Sequence, residues 1–153
     1  MISEQGASAP PPRRPEFQRL WFTLQAQNWR SLAVVATEDG ADAVSVAAAL
    51  AAIGRRDGQT PVQVLSAVGL SSADLPRLVA QMPGSPTASA APLTLVACDA
   101  LQRNPAMIPI VQQASGVVLI VRLGQTALAS VRATVAQVGR ERILATISIG
   151  EAP

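Results

Sequence analysis

Lysine, histidine and tyrosine do not occur in this chain of 153 residues, and cysteine occurs once. Each absence removes a chemistry. Without histidine there is no imidazole base, no histidine-assisted nucleophile and no histidine metal ligand. Without lysine there is no Schiff base and no ammonium to hold a nucleotide phosphate. Tyrosine phosphorylation is excluded outright. The single Cys98 lies in an apolar run and cannot close an internal disulfide, so a reduced, cytoplasmic setting is expected. Aromatic residues are few, two Phe and two Trp, and all of them (Phe17, Trp21, Phe22 and Trp29) fall in one short stretch.

Charge is equally sparse. The 12 basic residues are all arginine, against 10 acids, for a net charge of +2. Apart from Arg13-Arg14 and Arg55-Arg56 the arginines are scattered and do not interleave with aromatics, so no nucleic-acid partner is expected. The longest apolar runs, residues 44–53 and 116–121, are too short to cross a bilayer. The N-terminus lacks the apolar core of a targeting segment, so direct membrane insertion is not expected. No metal site and no resident cofactor are expected either.

What is present is an alternation. Residues 1–15 carry a proline cluster and low hydrophobicity and are expected to form a disordered arm ahead of a single domain spanning 16–153. Phe17, Leu20, Trp21 and Leu24 recur at the spacing of one helical face, predicting a short helix from Glu16 that ends near Asn28. Next come an apolar β-branched run (31–37, SLAVVAT), an alanine-rich helical stretch (42–53) broken at Arg55-Arg56-Asp57-Gly58, and a second strand-like run (61–68, PVQVLSAV). A helix over 71–82 with Ser72 as N-cap, a Pro/Ser/Ala loop over 83–92 and a strand over 93–98 follow. Beyond them lie a helix over 105–114 interrupted by Pro109, a buried type of strand over 116–123, an amphipathic helix over 126–139 and a closing strand over 142–149. Continuous Val/Ile/Leu strands separated by helix-length segments predict an α/β fold: a three-layer sandwich around a mostly parallel sheet of about five strands.

In such a sheet ligands bind at the carboxyl ends of the strands, so the turn Thr37-Glu38-Asp39-Gly40-Ala41-Asp42-Ala43 is the first place to look. It is ill suited to phosphate. A phosphate-binding loop needs several glycines, a lysine and a Ser or Thr hydroxyl for magnesium. Here there is one glycine, Gly40, and the carboxylates of Glu38, Asp39 and Asp42 repel an anion. Ser45 is the candidate hydroxyl, against its reading as a small polar residue in an Ala-rich helix. Arg122 and Arg30 are the arginines that could approach the same end of the sheet.

From Glu16 onward the order of residues resembles a known family, the cytoplasmic ATPase domain of bacterial tyrosine kinases of capsule and exopolysaccharide synthesis, relatives of the MinD/ParA ATPases. Glu16 to Leu24 (EFQRLWFTL) resembles that family's E-x-F-R-x-L-R-T-N-L helix, and Val34 to Ser45 (VVATEDGADAVS) stands where T-S-x-x-P-G-E-G-K-S-T would be. Gly58 to Val68 resembles its G-K-R-V-L-L-I-D-A-D with both carboxylates gone, and Leu93 to Leu101 its D-Y-V-I-I-D-T-P-P. Ala114 to Thr126 (ASGVVLIVRLGQT) matches A-D-G-V-L-L-V-V-R-x-G-x-T most closely. The family's tyrosine-rich tail has no counterpart.

The resemblance implies a degenerate P-loop-like fold. Its residues that shape the fold remain, whereas the phosphate-holding lysine, two loop glycines and the acidic pair after the second strand are missing. Gly40, Ser45 and Asp99 are the remnants of the nucleotide site, Asp99 standing where the family carries an acidic residue near magnesium. A lone carboxylate at the end of a buried strand is also what a strand-to-loop junction tolerates. The expectation is a pseudo-ATPase or pseudokinase, not an enzyme.

Its work would then be interaction, as a scaffold or regulatory subunit of exopolysaccharide- or cellulose-type synthesis. It would form a homo-oligomer or a hetero-complex with a membrane-bound polysaccharide synthesis or export protein, cytoplasmic and peripheral at the inner membrane through that partner. The family's E-x-x-R-x-x-R oligomerisation motif is half present: Glu16 and Arg19 fit, and Phe22 replaces the second arginine. Glu16, Phe17, Arg19, Leu20, Trp21 and Phe22 are the candidate interface, since aromatic anchors are enriched in interface hot spots. The same apolar face packing on its own sheet is the alternative. Two other functions stay open: a weak ATP-binding switch of the MinD/ParA type, and a cell-pole or partition-positioning adaptor.

Overall fold

The computed structural model describes residues 14–27, 29–57, 61–82, 93–124 and 127–149. Five strands form one sheet: β1 (Ser31–Ala36), β2 (Val62–Ser66), β3 (Leu93–Cys98), β4 (Gly116–Arg122) and β5 (Ile143–Ile149). Their order is β2-β3-β1-β4-β5 and every pair is parallel. β1 is central, with Val34 opposite Ala97 of β3 on one side and Val118 of β4 on the other. All six of its residues are buried, which a strand covered on both faces requires.

Among the described residues five helices cover the sheet: α1 (Arg14–Gln25), α2 (Gly40–Asp57), α3 (Leu75–Gln81), α4 (Ile108–Gln113) and α5 (Leu128–Val138). Strand alternation divides the core in two. Leu32, Val34 and Ala36 point to a cluster with Phe17, Trp21 and Leu24 of α1 and Val46 and Leu50 of α2. Ala33 and Val35 point to the opposite cluster, closed by Leu78 of α3, Ile110 and Val111 of α4 and Val138 of α5. The expected α/β sandwich is thus the fold, with α1 and α2 on one face and the other helices on the second.

Local boundaries differ where charge or capping decides. α2 runs through Arg55-Arg56-Asp57 instead of breaking there, because guanidinium groups in a last turn favour the carbonyl end of the helix. Arg55 Nε also donates to the Val62 carbonyl at 3.1 Å. Ser71, not Ser72, is the N-cap of a 3-10 turn (Ser72–Asp74) leading into α3, and the Asp74 carboxylate accepts from the Ser71 hydroxyl at 3.1 Å. Pro109 does not interrupt a helix. It lies in the first turn of α4, after a 3-10 turn (Pro105–Met107), where no backbone donor is needed. α1 begins at Arg14, inside the expected arm; residues 1–13 and the expected 83–92 loop lie outside the described residues. Among the described residues no helix is long and apolar enough to cross a membrane.

Candidate functional site at the carboxyl edge of the sheet

The chain leaves β1 toward one face of the sheet, into α2, and leaves β3 and β4 toward the other, into α4 and α5. In doubly wound sheets such a divergence marks the crevice outside the carboxyl ends of the strands, the place where ligands bind. Four segments meet there: the β1–α2 turn, the loop after β2 at Gly69-Leu70, the loop after β3 from Asp99 to Asn104, and Arg122 at the end of β4.

The β1–α2 turn is only Thr37 to Asp39. Thr37 is buried, and its hydroxyl donates to the Ile120 carbonyl at 2.7 Å, fixing the turn to β4. Asp39 caps α2: Oδ1 accepts the Ala41 N–H and its carbonyl the Asp42 N–H, both at 2.9 Å. The first turn of a helix offers free N–H groups and a positive end to an anion. Here the chain's own carboxylate takes that position. Asp42, three residues on, forms a two-pronged pair with Arg122, Nε to Oδ2 at 3.0 Å and a second bond from the terminal nitrogen to Oδ1. Their side chains are 11% and 23% exposed, so this cation is held in a largely dry pair.

Asp99 joins three segments. Its Oδ2 accepts the Gly69 N–H at 2.7 Å and the Asn104 amide at 3.2 Å. The same amide nitrogen donates to the Leu70 carbonyl at 3.1 Å, and Asn104 Oδ1 accepts from Ala106 at the start of the 3-10 turn. Gly69 has φ +82°, a left-handed conformation that glycine adopts without strain. Asp99 Oδ1 lies against Gly40, where a Cβ would collide with it and stand 2.8 Å from Val68 Cγ1. Glu38 and Arg103 make a looser pair at 3.7 Å, with Arg103 mostly exposed. Beside Asp99, burial pushes the Cys98 thiol up to about 12, and the Asp99 carboxylate adds to the rise.

Of the three expected remnants, Gly40 and Asp99 come together, while Ser45 lies exposed more than a turn into α2. Arg122 reaches the crevice. Arg30 does not: it precedes β1 at the amino edge, where its N–H donates to the Ser115 hydroxyl at 3.2 Å. No group of three or more potential metal-ligating side chains occurs among the described residues. The candidate interface splits. Phe17 and Trp21 are buried in the core, with Trp21 fully covered, its ring against Gly54 and edge-on to Trp29 at 5.9 Å. Leu20 is half-buried, and only Glu16, Arg19 and Phe22 are exposed. Trp21 therefore has no surface to offer a partner, because the small residues of α2 let α1 approach closely enough to bury it.

Sequence reasoning missed Asn104 and Gly69. Asn104 did leave a signal, since Asn directly before proline is the signature of a cap followed by a first-turn proline. Compared with known proteins, the chain matches no protein-family model and, at a significant level, no curated protein.

Proposed function

We propose that the chain is a non-catalytic scaffold or regulatory subunit, acting by self-association or by docking on a membrane-complex partner in a bacterial exopolysaccharide- or cellulose-type synthesis and secretion system. One observation carries the non-catalytic part: the N-terminus of α2 is occupied by Asp39 and sealed by Asp99 against Gly40. A phosphate brought there meets carboxylates, and the Arg122 cation is engaged with Asp42. Phosphoryl transfer relies on positive charge placed around the γ-phosphate, and losing one such group costs on the order of 3 kcal/mol of transition-state stabilisation. The chain is a pseudo-ATPase on this reading. The polysaccharide setting is supported by the resemblance of residues 16–126, strongest over 114–126. Of the candidate interface residues, Glu16, Arg19 and Phe22 are open to a partner.

Two measurements test the reading. Purified protein hydrolyses no ATP above a buffer blank; turnover that an Asp99→Ala variant abolishes contradicts it. In the native host, deleting the coding sequence lowers secreted polysaccharide, and a Ser45→Ala copy restores it because no hydroxyl is needed for magnesium. Unchanged secretion after deletion removes the proposed setting.

A further inference from the structure

β5 closes one side of the sheet: among the described residues no strand lies beyond it. An edge strand presents unpaired N–H and C=O groups, and natural edges are commonly guarded by charge, proline or a bulge. β5 contains no charged residue and no proline. Its one irregularity is at the start, where Leu144 is passed over between the pairs Val117–Ile143 and Val118–Ala145. From Ala145 to Ile149 the register is regular.

A single contact fixes which groups face outward. The Ile149 carbonyl accepts the Leu123 N–H at 2.8 Å and so turns toward β4. Within a strand the N–H and C=O of one residue point the same way and alternate along the chain. Ile147 and Ala145 therefore also turn toward β4, and Thr146 and Ser148 turn outward. Side chains alternate as well. Ala145, Ile147 and Ile149 pack on the cluster that α1 covers, whereas Thr146 and Ser148 are exposed. The segment reads small apolar, hydroxyl, Ile, hydroxyl, Ile, a near-palindrome about Ile147.

From this edge we propose that a second copy of the chain docks by antiparallel pairing of β5 with its counterpart, about a two-fold axis at Ile147. In that register Thr146 of each protomer faces Ser148 of the other, at the positions whose backbone groups point outward, so both facing pairs exchange two hydrogen bonds. Ile147 meets Ile147 at the intervening non-hydrogen-bonded position, where Cα atoms approach to about 4.5 Å. Ala145 faces Ile149, small against large, and hydroxyl faces hydroxyl, a favourable cross-strand pair. No charges meet. The palindrome argues for a second copy over an unrelated strand, since only the chain itself matches both halves in this way. A two-fold pairing closes as a dimer and leaves no further copy of this edge open. The contact is small, so the dimer dissociates on dilution. This inference gives a surface to the self-association in the proposed function and rests on that reading only for its purpose: a nucleotide-binding chain could pair the same way.

Sedimentation velocity over a dilution series of the full chain tests it. Wild type sediments as a reversible dimer. Thr146→Lys with Ser148→Lys, both at exposed positions, sets ammonium against ammonium and weakens the dimer at least about tenfold, while at concentrations where both proteins are monomeric the melting temperature is unchanged. An Ile147→Cys variant, oxidised, gives a covalent dimer, because a non-hydrogen-bonded antiparallel pair has the Cα separation a disulfide takes. Wild type does not cross-link, since Cys98 is buried and its thiol is pushed up to about 12. A wild type that stays monomeric, a dimer indifferent to the paired lysines, or an I147C chain that does not cross-link overturns the proposal. Should the lysine variant unfold, the cross-link decides alone. None of these outcomes bears on nucleotide binding, so failure here leaves the non-catalytic reading to its own test.

Discussion

Gly40 and Asp99 lie 59 positions apart in the chain and in contact in the fold, and the crevice is closed where they meet. Adding a methyl group at Gly40 drives it into the Asp99 carboxylate and Val68. Gly40→Ala is therefore expected to cost about 1 to 3 kcal/mol, read by urea unfolding. Asp99→Ala removes the acceptor of the Gly69 N–H and one of the two acceptors of the Asn104 amide, and is expected to cost about 1 kcal/mol by the same measurement. Cys98 gives a pH dependence with a definite sign. Burial raises its thiol from 9.0 to about 12, so above pH 9 the unfolded chain loses a proton that the folded chain keeps. Stability should then fall by about 1.4 kcal/mol for each pH unit between 9 and 12. A Cys98→Ala variant should lack that slope; an identical slope means the thiol is not its source. Asp99 was legible in the sequence as a carboxylate ending a buried strand. Its partners were not, because the Gly69 N–H reaches it only when β2 and β3 pair, and the Asn104 amide only when the loop after β3 folds back.

At the scale of elements, β4 is held to α2 by the Asp42–Arg122 pair. Removing one partner leaves the other charge largely buried, so Arg122→Ala should destabilise by roughly 3 kcal/mol. Replacing both residues with apolar side chains should recover most of that loss in a double-mutant cycle. Arg142 acts at the opposite edge. Its terminal nitrogen donates to the Val111 carbonyl at 2.7 Å and to the Gln112 and Ala114 carbonyls, closing the end of α4. The strands were legible because buried parallel strands need uninterrupted apolar runs, and residues 93–98 match β3 throughout. Helix ends were less so, since Arg55-Arg56 reads as a break by composition but acts as a favourable last turn. Trp21 shows the same limit. Helical spacing places it on one apolar face with Phe17, Leu20 and Leu24, and the close approach of α2 at Gly54 decides that the ring packs in the core and not against a partner.

Over the whole molecule, five parallel strands and two helical layers make a ligand crevice by topology alone, with or without a ligand to fill it. What distinguishes this chain is that its own Asp39, Asp99 and Asp42–Arg122 occupy the crevice. The sequence announced that much in part, through a turn rich in carboxylates and poor in glycine; that the carboxylates are engaged in holding the edge together required the fold. The most direct test of this account is a titration of the purified chain with Mg-ATP, followed by a fluorescent analogue and by the melting temperature. The account predicts no saturable binding and no change in melting temperature up to millimolar nucleotide. Saturable binding, with a melting temperature that climbs with nucleotide concentration as linkage requires, contradicts it and makes the chain a nucleotide-dependent switch.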